Sequence, residues 1–231
     1  IMIDQKIIGK THPCFVIAEA GVNHNGNIIL AKRLVDEAKQ VGADAIKFQT
    51  FKAEDLASKE AELATYQKQN TNFKGSQQEM LKTLELSEEE FIEIKEYCLK
   101  KEIIFLSTSH SESYVDFLNE LMPAFKIASG DLNNHNLLRK ISKKNKPIIL
   151  STGMATLNEV EEALEVIKNE GNDEVIILHC TTNYPCSNDE VNLNAMHTLE
   201  KMGYLVGYSD HSKGIQVPII ATAMGATIIE K

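Results

Sequence analysis

Short apolar runs rich in Ile, Val and Phe recur along the chain, separated by longer stretches whose apolar positions return at helical spacing. The runs at 14–22, 45–51, 103–109, 124–130, 147–153, 174–181, 204–210 and 226–231 read as strands, because they are short, β-branched and bounded by turn residues. Between them, "NIILAKRLVDEAKQVG", "SEEEFIEIKEYCLKK", "LNEVEEALEVIKNEG" and "VNLNAMHTLEKMG" read as amphipathic helices. Strands alternating with helices of this length predict a parallel sheet, and eight such strands predict closure into a (β/α)₈ barrel. An open doubly wound sheet is the competing arrangement, but no GxGxxG turn follows the first strand.

Two segments depart from the alternation. The gap from Phe51 to Ile103 is far longer than the others, and its first part is polar and weakly periodic. It reads as an excursion of the second βα loop over the barrel mouth; a surface insertion without a role is the alternative. Residues 1–12 read as a hairpin or plug below the barrel, and 13–231 as the barrel domain. The sequence stops at "IIEK", inside the eighth strand, so the expectation is a truncated barrel lacking its last helix.

Every strand changes from apolar to polar at the same end, the C-terminal end where barrel active sites form. The first delivers Glu19 and then "NHNG"; the second, Lys47 and Gln49, two apart and so on one face. The third gives Ser107 and Thr108, the fourth Lys126, Ser129 and Asp131, and the fifth Ser151 and Thr152. The sixth gives His179, Thr181 and Thr182 followed by Tyr184, and the seventh Ser209, Asp210 and His211. Lys47 and Lys126 sit inside apolar strands, where an unpartnered ammonium is costly. With the hydroxyls from neighbouring strands they suit a phosphate or carboxylate; snorkelling to water is the plainer account.

The histidines and cysteines say less. His211 reads equally as a metal ligand or a hydrogen-bonded loop residue. His179 reads better as a packed strand-end residue, and His24 as part of a tight turn. His110 is given no role. Glu19 is a general acid or substrate anchor, with an ion pair to Lys47 as the structural alternative. Cys180 and Cys186 read as packing residues, since spacing offers neither a His–acid partner.

Composition narrows the class. With 43% hydrophobic and 25% charged residues, the chain is an ordinary globular sequence able to bury a core. No apolar run reaches the roughly 18 residues that span a bilayer, and residues 1–13 lack a signal pattern. Four dispersed cysteines without a CxxC pair suit reduced thiols in the cytoplasm. The balance of 24 basic to 33 acidic side chains, net −9, argues against nucleic acid. It also means that an anionic substrate needs local cations acting against the overall field.

Six motifs, in order, resemble the sialic acid synthase family: "IAEAGVNHNG", "GADAIKFQTF", "KIASGDL", "KPIILSTGMA", "LHCTTNYP" and "GYSDHSKG". The resemblance implies a (β/α)₈ barrel followed by a small antifreeze-like domain, a homodimer, and a divalent metal, Mn²⁺ or Mg²⁺. It implies condensation of phosphoenolpyruvate with an N-acetylated hexose, giving a nine-carbon 2-keto sugar acid and phosphate. By motif, the phosphoenolpyruvate pocket falls on Lys47, Thr108, Lys126, Ser129, Ser151, Thr182 and Ser209. The sugar side falls on Glu19, Gln49, Asn70, Asp131 and Tyr184, and the metal on His211, with Asp210 setting that imidazole. The usual "STPF" is "STSH" here, at Ser107 to His110. The family's second metal-binding His follows an E-K or E-R pair, which here is Glu230 and Lys231, so residues 1–231 alone are expected to bind metal poorly. The competing functions are another phosphoenolpyruvate–aldose synthase on the same fold, and a non-catalytic barrel that binds a sugar.

Overall fold

The computed structural model describes residues 1–63, 73 and 75–231. A hairpin of β1 (Met2–Ile3) and β2 (Lys6–Ile7) pairs antiparallel at the N-terminus. Ile3 and Ile8 of this segment are fully buried, so the hairpin covers one end of the core.

Eight parallel strands then close on themselves: β3 (Phe15–Gly21), β4 (Ala45–Thr50), β5 (Ile104–Ser109), β6 (Phe125–Ile127), β7 (Ile148–Ser151), β8 (Val175–Cys180), β9 (Leu205–Ser209) and β10 (Ile228–Glu230). The ring runs β10-β3-β4-β5-β6-β7-β8-β9, and β10 pairs with both β3 and β9. The chain is therefore a TIM barrel, as its alternating pattern predicts, and the open sheet is excluded.

The helices lie outside and present apolar stripes to the strands. Helix α1 (Ile28–Gln40) buries Ala31, Val35 and Ala38. The short α2 (Ala53–Leu56) and α3 (Gln77–Lys82) belong to the long connection between β4 and β5. Helix α4 (Glu88–Lys100) buries Phe91, Ile94 and Cys98. Then come α5 (Val115–Leu121) and α6 (His135–Ser142). Helix α7 (Leu157–Asn169) buries Val160, Ala163, Leu164 and Ile167, and is followed by α8 (Ala195–Glu200) and α9 (Gln216–Ala223).

Helix starts are fixed by side chains that take up free backbone donors. Asn27 accepts from the N–H groups of Ile29 and Leu30. Ser87 with Glu90 and Thr156 with Glu159 form reciprocal capping boxes. Those three caps set where α1, α4 and α7 begin, and so how the preceding loops leave the barrel mouth.

Two elements are shorter than their patterns predict. The fourth strand ends at Ile127, because Ser129–Asp131 turns into a 3₁₀ helix in which the Asp131 N–H donates to the Ala128 carbonyl at 3.0 Å. That turn aims Ser129 and Gly130 into the mouth. The stretch 191–203 is helical only over Ala195–Glu200, because Asn192 adopts a positive φ of 45° that an α-helix does not accommodate. The middle of the polar excursion, with Asn70, lies outside the described residues.

Gly207 in β9 marks a tightly packed point inside the barrel. A Cβ there would stand 2.4 Å from the Ile228 carbonyl oxygen and 2.7 Å from a Leu178 methyl. Gly207→Ala should therefore force β9 away from β10 and destabilise the fold by about 1–3 kcal/mol. Urea denaturation of the variant beside the parent measures this.

Candidate active site

The C-terminal ends of the strands enclose a cavity of about 460 Å³. Its floor is built from two lysines on β4 and β6. Both ammonium groups are almost wholly buried, with 5% and 3% of the side chain exposed for Lys47 and Lys126. Burial at this depth requires compensation. Lys47 Nζ lies 2.6 Å from Glu19 Oε2 and 3.8 Å from Glu230 Oε2, while Lys126 Nζ lies 3.5 Å from Glu230 Oε1. Glu230, at the end of β10, thus stands between the two cations and also accepts from Ser209 Oγ at 2.8 Å. Lys47 donates to Thr108 Oγ1 at 3.2 Å.

The protonation equilibria follow from that arrangement. Burial works to raise the Glu230 carboxyl, but Lys126, Lys47 and the Ser209 hydroxyl outweigh it and hold it below the ordinary carboxylate value. Burial opposes the charge on Lys47, yet Glu19 and Glu230 together raise its ammonium above the usual value. For Lys126 burial prevails over Glu230, with Lys47 acting in the same direction, and its pKa falls. Burial raises the Glu19 carboxyl even beside Lys47. Lys126 and Glu19 are the two groups whose environments disfavour their charge.

Above the lysines the walls are hydroxyls. Ser151 Oγ and Thr182 Oγ1 are buried and have no hydrogen-bond partner among the described residues. Buried hydroxyls are nearly always satisfied, so two orphans facing one cavity, beside two cations, point to an oxyanion there. The backbone of Gly153 is pressed close to Thr182 and Ser129. A Cβ at Gly153 would stand 2.2 Å from Thr182 Oγ1 and 2.9 Å from Ser129 Oγ, and the Gly153 N–H donates to Ser129 Oγ at 2.9 Å.

The rim carries Asn23, Gln49, His110, Gly130, Tyr184 and His211. The His211 ring lies 4.1 Å from the Tyr184 ring. His211 Nδ1 donates to the Thr181 carbonyl at 2.8 Å and lies 3.8 Å from Cys180 Sγ. In the neutral ring a donor role at Nδ1 leaves Nε2 as the atom able to ligate a metal, although burial is outweighed by Cys180 and the Thr181 carbonyl, which raise the imidazole above its usual value. Among the described residues, however, no group of three or more His, Cys, Asp or Glu side chains converges as a metal centre. The described residues alone do not complete a site for Mn²⁺.

The cavity gathers Glu19, Lys47, Gln49, Thr108, Lys126, Ser129, Ser151, Thr182, Tyr184, Ser209 and His211 from the sequence reading. Asp131 stands behind the wall, bonded to His110 at 2.9 Å. Asp210 does not set His211. It pairs with Lys231 at 2.5 Å and accepts from the Ser212 N–H at 2.9 Å, because it points back over β10 while the imidazole turns to β8. His179 is a packed residue, bonded through Nε2 to the Val191 carbonyl at 2.7 Å. His24 Nδ1 accepts from the Gly26 N–H, as a turn residue does. Cys180 lines the cavity instead of merely packing. Burial raises its thiol, but His211, Ser129 and Lys126 together outweigh burial and hold it below the usual value. Glu230 and His110 are the residues that the sequence reading missed. Glu230 had a signal, an acid inside an apolar strand end, which the same argument used for Lys47 would have caught.

The NeuB family model matches residues 34–231. The N,N'-diacetyllegionaminic acid synthase of Legionella pneumophila is 49% identical over 229 residues, covering 96% of this chain and 64% of that protein. The enzyme of the same name from Campylobacter jejuni is 49% identical over 220 residues, covering 94% and 66%. Among solved structures, N-acetylneuraminic acid synthetase from Leptospira borgpetersenii, in complex with citrate, superposes with a TM-score of 0.90 at 37% identity, covering 100% of this chain and 76% of that one. The chain thus spans about 64–66% of the length of these two curated relatives.

Removing the carboxylate charge between the lysines tests the electrostatics directly. Glu230→Gln should lower stability at neutral pH by about 3–5 kcal/mol, the cost of leaving buried charges unpaired. Its carboxyl is depressed in the fold, so this contribution is present above the unfolded carboxylate value and is lost as the pH falls through the folded value. Added inorganic phosphate should raise the melting temperature of the variant more than that of the parent, since the lysines then lack a counter-charge.

Proposed function

The chain belongs to the NeuB family of sialic acid synthases, and from that premise we propose that its cavity condenses phosphoenolpyruvate with an N-acetylated hexose. The product is a nine-carbon 2-keto sugar acid of the sialic or legionaminic type, and inorganic phosphate is released. The observation that carries this reading is the pairing of two buried lysines with the orphaned hydroxyls of Ser151 and Thr182 in one cavity. Phosphoenolpyruvate carries a carboxylate and a phosphate, and needs two sets of donors in one place.

In this proposal Lys47 and Lys126 hold the anion, with Thr108, Ser129, Ser151, Thr182 and Ser209 completing its hydrogen bonds. Gln49 and Tyr184 face the sugar. C3 of the enol attacks the aldehyde carbon of the open-chain hexose, forming the new C–C bond while the aldehyde oxygen takes up a proton. The positive charge that develops at C2 is quenched by water, and the tetrahedral centre then expels phosphate as the 2-keto group forms. Glu19 carries protons in these steps, since its raised carboxyl spans both forms more readily than an exposed carboxylate. A divalent cation, when bound, would polarise the aldehyde oxygen, and His211 would offer it one ligand.

Phosphate release should require both phosphoenolpyruvate and sugar, assayed with N-acetylmannosamine and with a 2,4-diacetamido-6-deoxy hexose in the presence of Mn²⁺. Release with neither sugar would overturn the reading. Lys47→Ala and Lys126→Ala should each weaken phosphoenolpyruvate binding by roughly 10- to 100-fold in calorimetric titration, the loss of one charge-assisted contact. Near-unchanged affinity in both variants would remove the anion from this floor.

A further inference from the structure

His110 occupies a place that the reaction proposed above leaves unassigned. It follows β5 directly, and its N–H donates to the Thr50 carbonyl at 3.3 Å, so its backbone is tied to the end of β4. Its Nδ1 lies 2.9 Å from Asp131 Oδ2, and both side chains are mostly buried. Asp131 is itself fixed by the 3₁₀ turn after β6, through the Ala128 carbonyl, and its own carbonyl accepts from the Asn134 N–H at 3.0 Å. Three successive strand ends therefore hold one imidazole in one orientation.

That orientation has a chemical consequence. A carboxylate only accepts, so Nδ1 carries a proton, and in the neutral ring Nε2 is the acceptor. The ring of His110 lines the cavity while Asp131 does not. In the ring order of the strands, β5 lies directly across the barrel from β9, so His110 and His211 stand on opposite sides of the mouth. The cations lie deeper, at 3–5% side-chain exposure against 18% for His110. An anion seated on the lysines fills the floor and leaves the space beside His110 to an uncharged, hydroxyl-bearing molecule.

We propose that His110 is a specificity-determining contact to the sugar, with Nε2 accepting a hydrogen bond from a hydroxyl or acetamido N–H group. Asp131 is a positioning residue that acts through His110 and does not itself touch the substrate. This rests on the sugar condensation proposed above and deepens it. Ser107 to His110 read "STSH", and the imidazole supplies an acceptor there that an apolar ring would not. The chain therefore selects a sugar with a donor at this point.

Steady-state kinetics and ring NMR of His110 test the proposal together. His110→Phe should raise the sugar KM by about 10-fold, the loss of one hydrogen bond with its partner left unpaired. The phosphoenolpyruvate KM should move by less than about twofold, and kcat should hold, the pattern of lost uniform binding. Asp131→Ala should shift the sugar KM in the same direction, and Asp131→Asn, which keeps an acceptor oxygen, should restore part of it. A merely structural role would move both KM values together. Titration of the unmodified protein with N-acetylmannosamine or the diacetamido hexose, after phosphoenolpyruvate, should shift the His110 Nε2 resonance. An unchanged sugar KM in His110→Phe, or a ring that responds to phosphoenolpyruvate and not to sugar, overturns the assignment while leaving the condensation standing. Absence of turnover with a sugar-dependent His110 shift overturns the condensation and leaves the contact standing. Neither turnover nor shift overturns both.

Discussion

Two ammonium groups buried a few ångströms from one carboxylate set the terms for the rest of the molecule. Lys47, Lys126 and Glu230 come from strands far apart in sequence. None of the three charges is tolerable in the barrel interior alone, since an isolated ion there costs several kcal/mol even after relaxation. Their positions are fixed to within a hydrogen-bond length by β4, β6 and β10, and those strands are fixed in turn by the closed ring. A site that holds its cations on rigid strands, with a resident counter-charge, is organised for an anion before the anion arrives.

The remaining polar groups are arranged around that charge system in layers. Thr108 and Ser209 bond to the lysine and the carboxylate and stiffen them. Ser151 and Thr182 have no partners among the described residues, and the bare backbone at Gly153 allows the chain to pass close to Thr182 and Ser129. Outside these lies a rim with fewer buried charges, where Asp210 and Lys231 are paired with each other. Charge therefore falls from floor to mouth, which lets one cavity receive an anion and an uncharged partner without confusing their places.

The eight strands and the long helices were legible because their burial is periodic. Val35 falls in its stripe on α1, Ile94 on α4 and Leu164 on α7. The polar strand ends were legible for the same reason, since Lys47 and Lys126 break an apolar run. What pattern could not reveal was contact between distant segments. Asp210 and His211 are adjacent in sequence yet turn to different strands. Cys180 acquires its imidazole partner only because β8 lies beside β9. His110 is joined to Asp131 by the pairing of β5 with β6, and no spacing rule connects them. Asn192 broke a helix that its neighbours favoured, through a left-handed residue that composition does not announce.

Glu230 also sits on the strand that closes the ring, pairing with β3 at Ile17 and with β9 at Ser209. During synthesis, the seven earlier strands emerge with both lysines already in the chain and their shared counter-ion still to come. Contacts this distant in sequence form late, because the loop entropy is spent before they give anything back. An open sheet of seven strands therefore holds Lys47 beside Glu19 of β3 but leaves Lys126 without its nearest carboxylate. Docking of the last strand brings Glu230 to both lysines and completes the ring. The charge system that serves the cavity thus also favours closure of the barrel, because the strand that closes it carries the carboxylate that Lys126 needs.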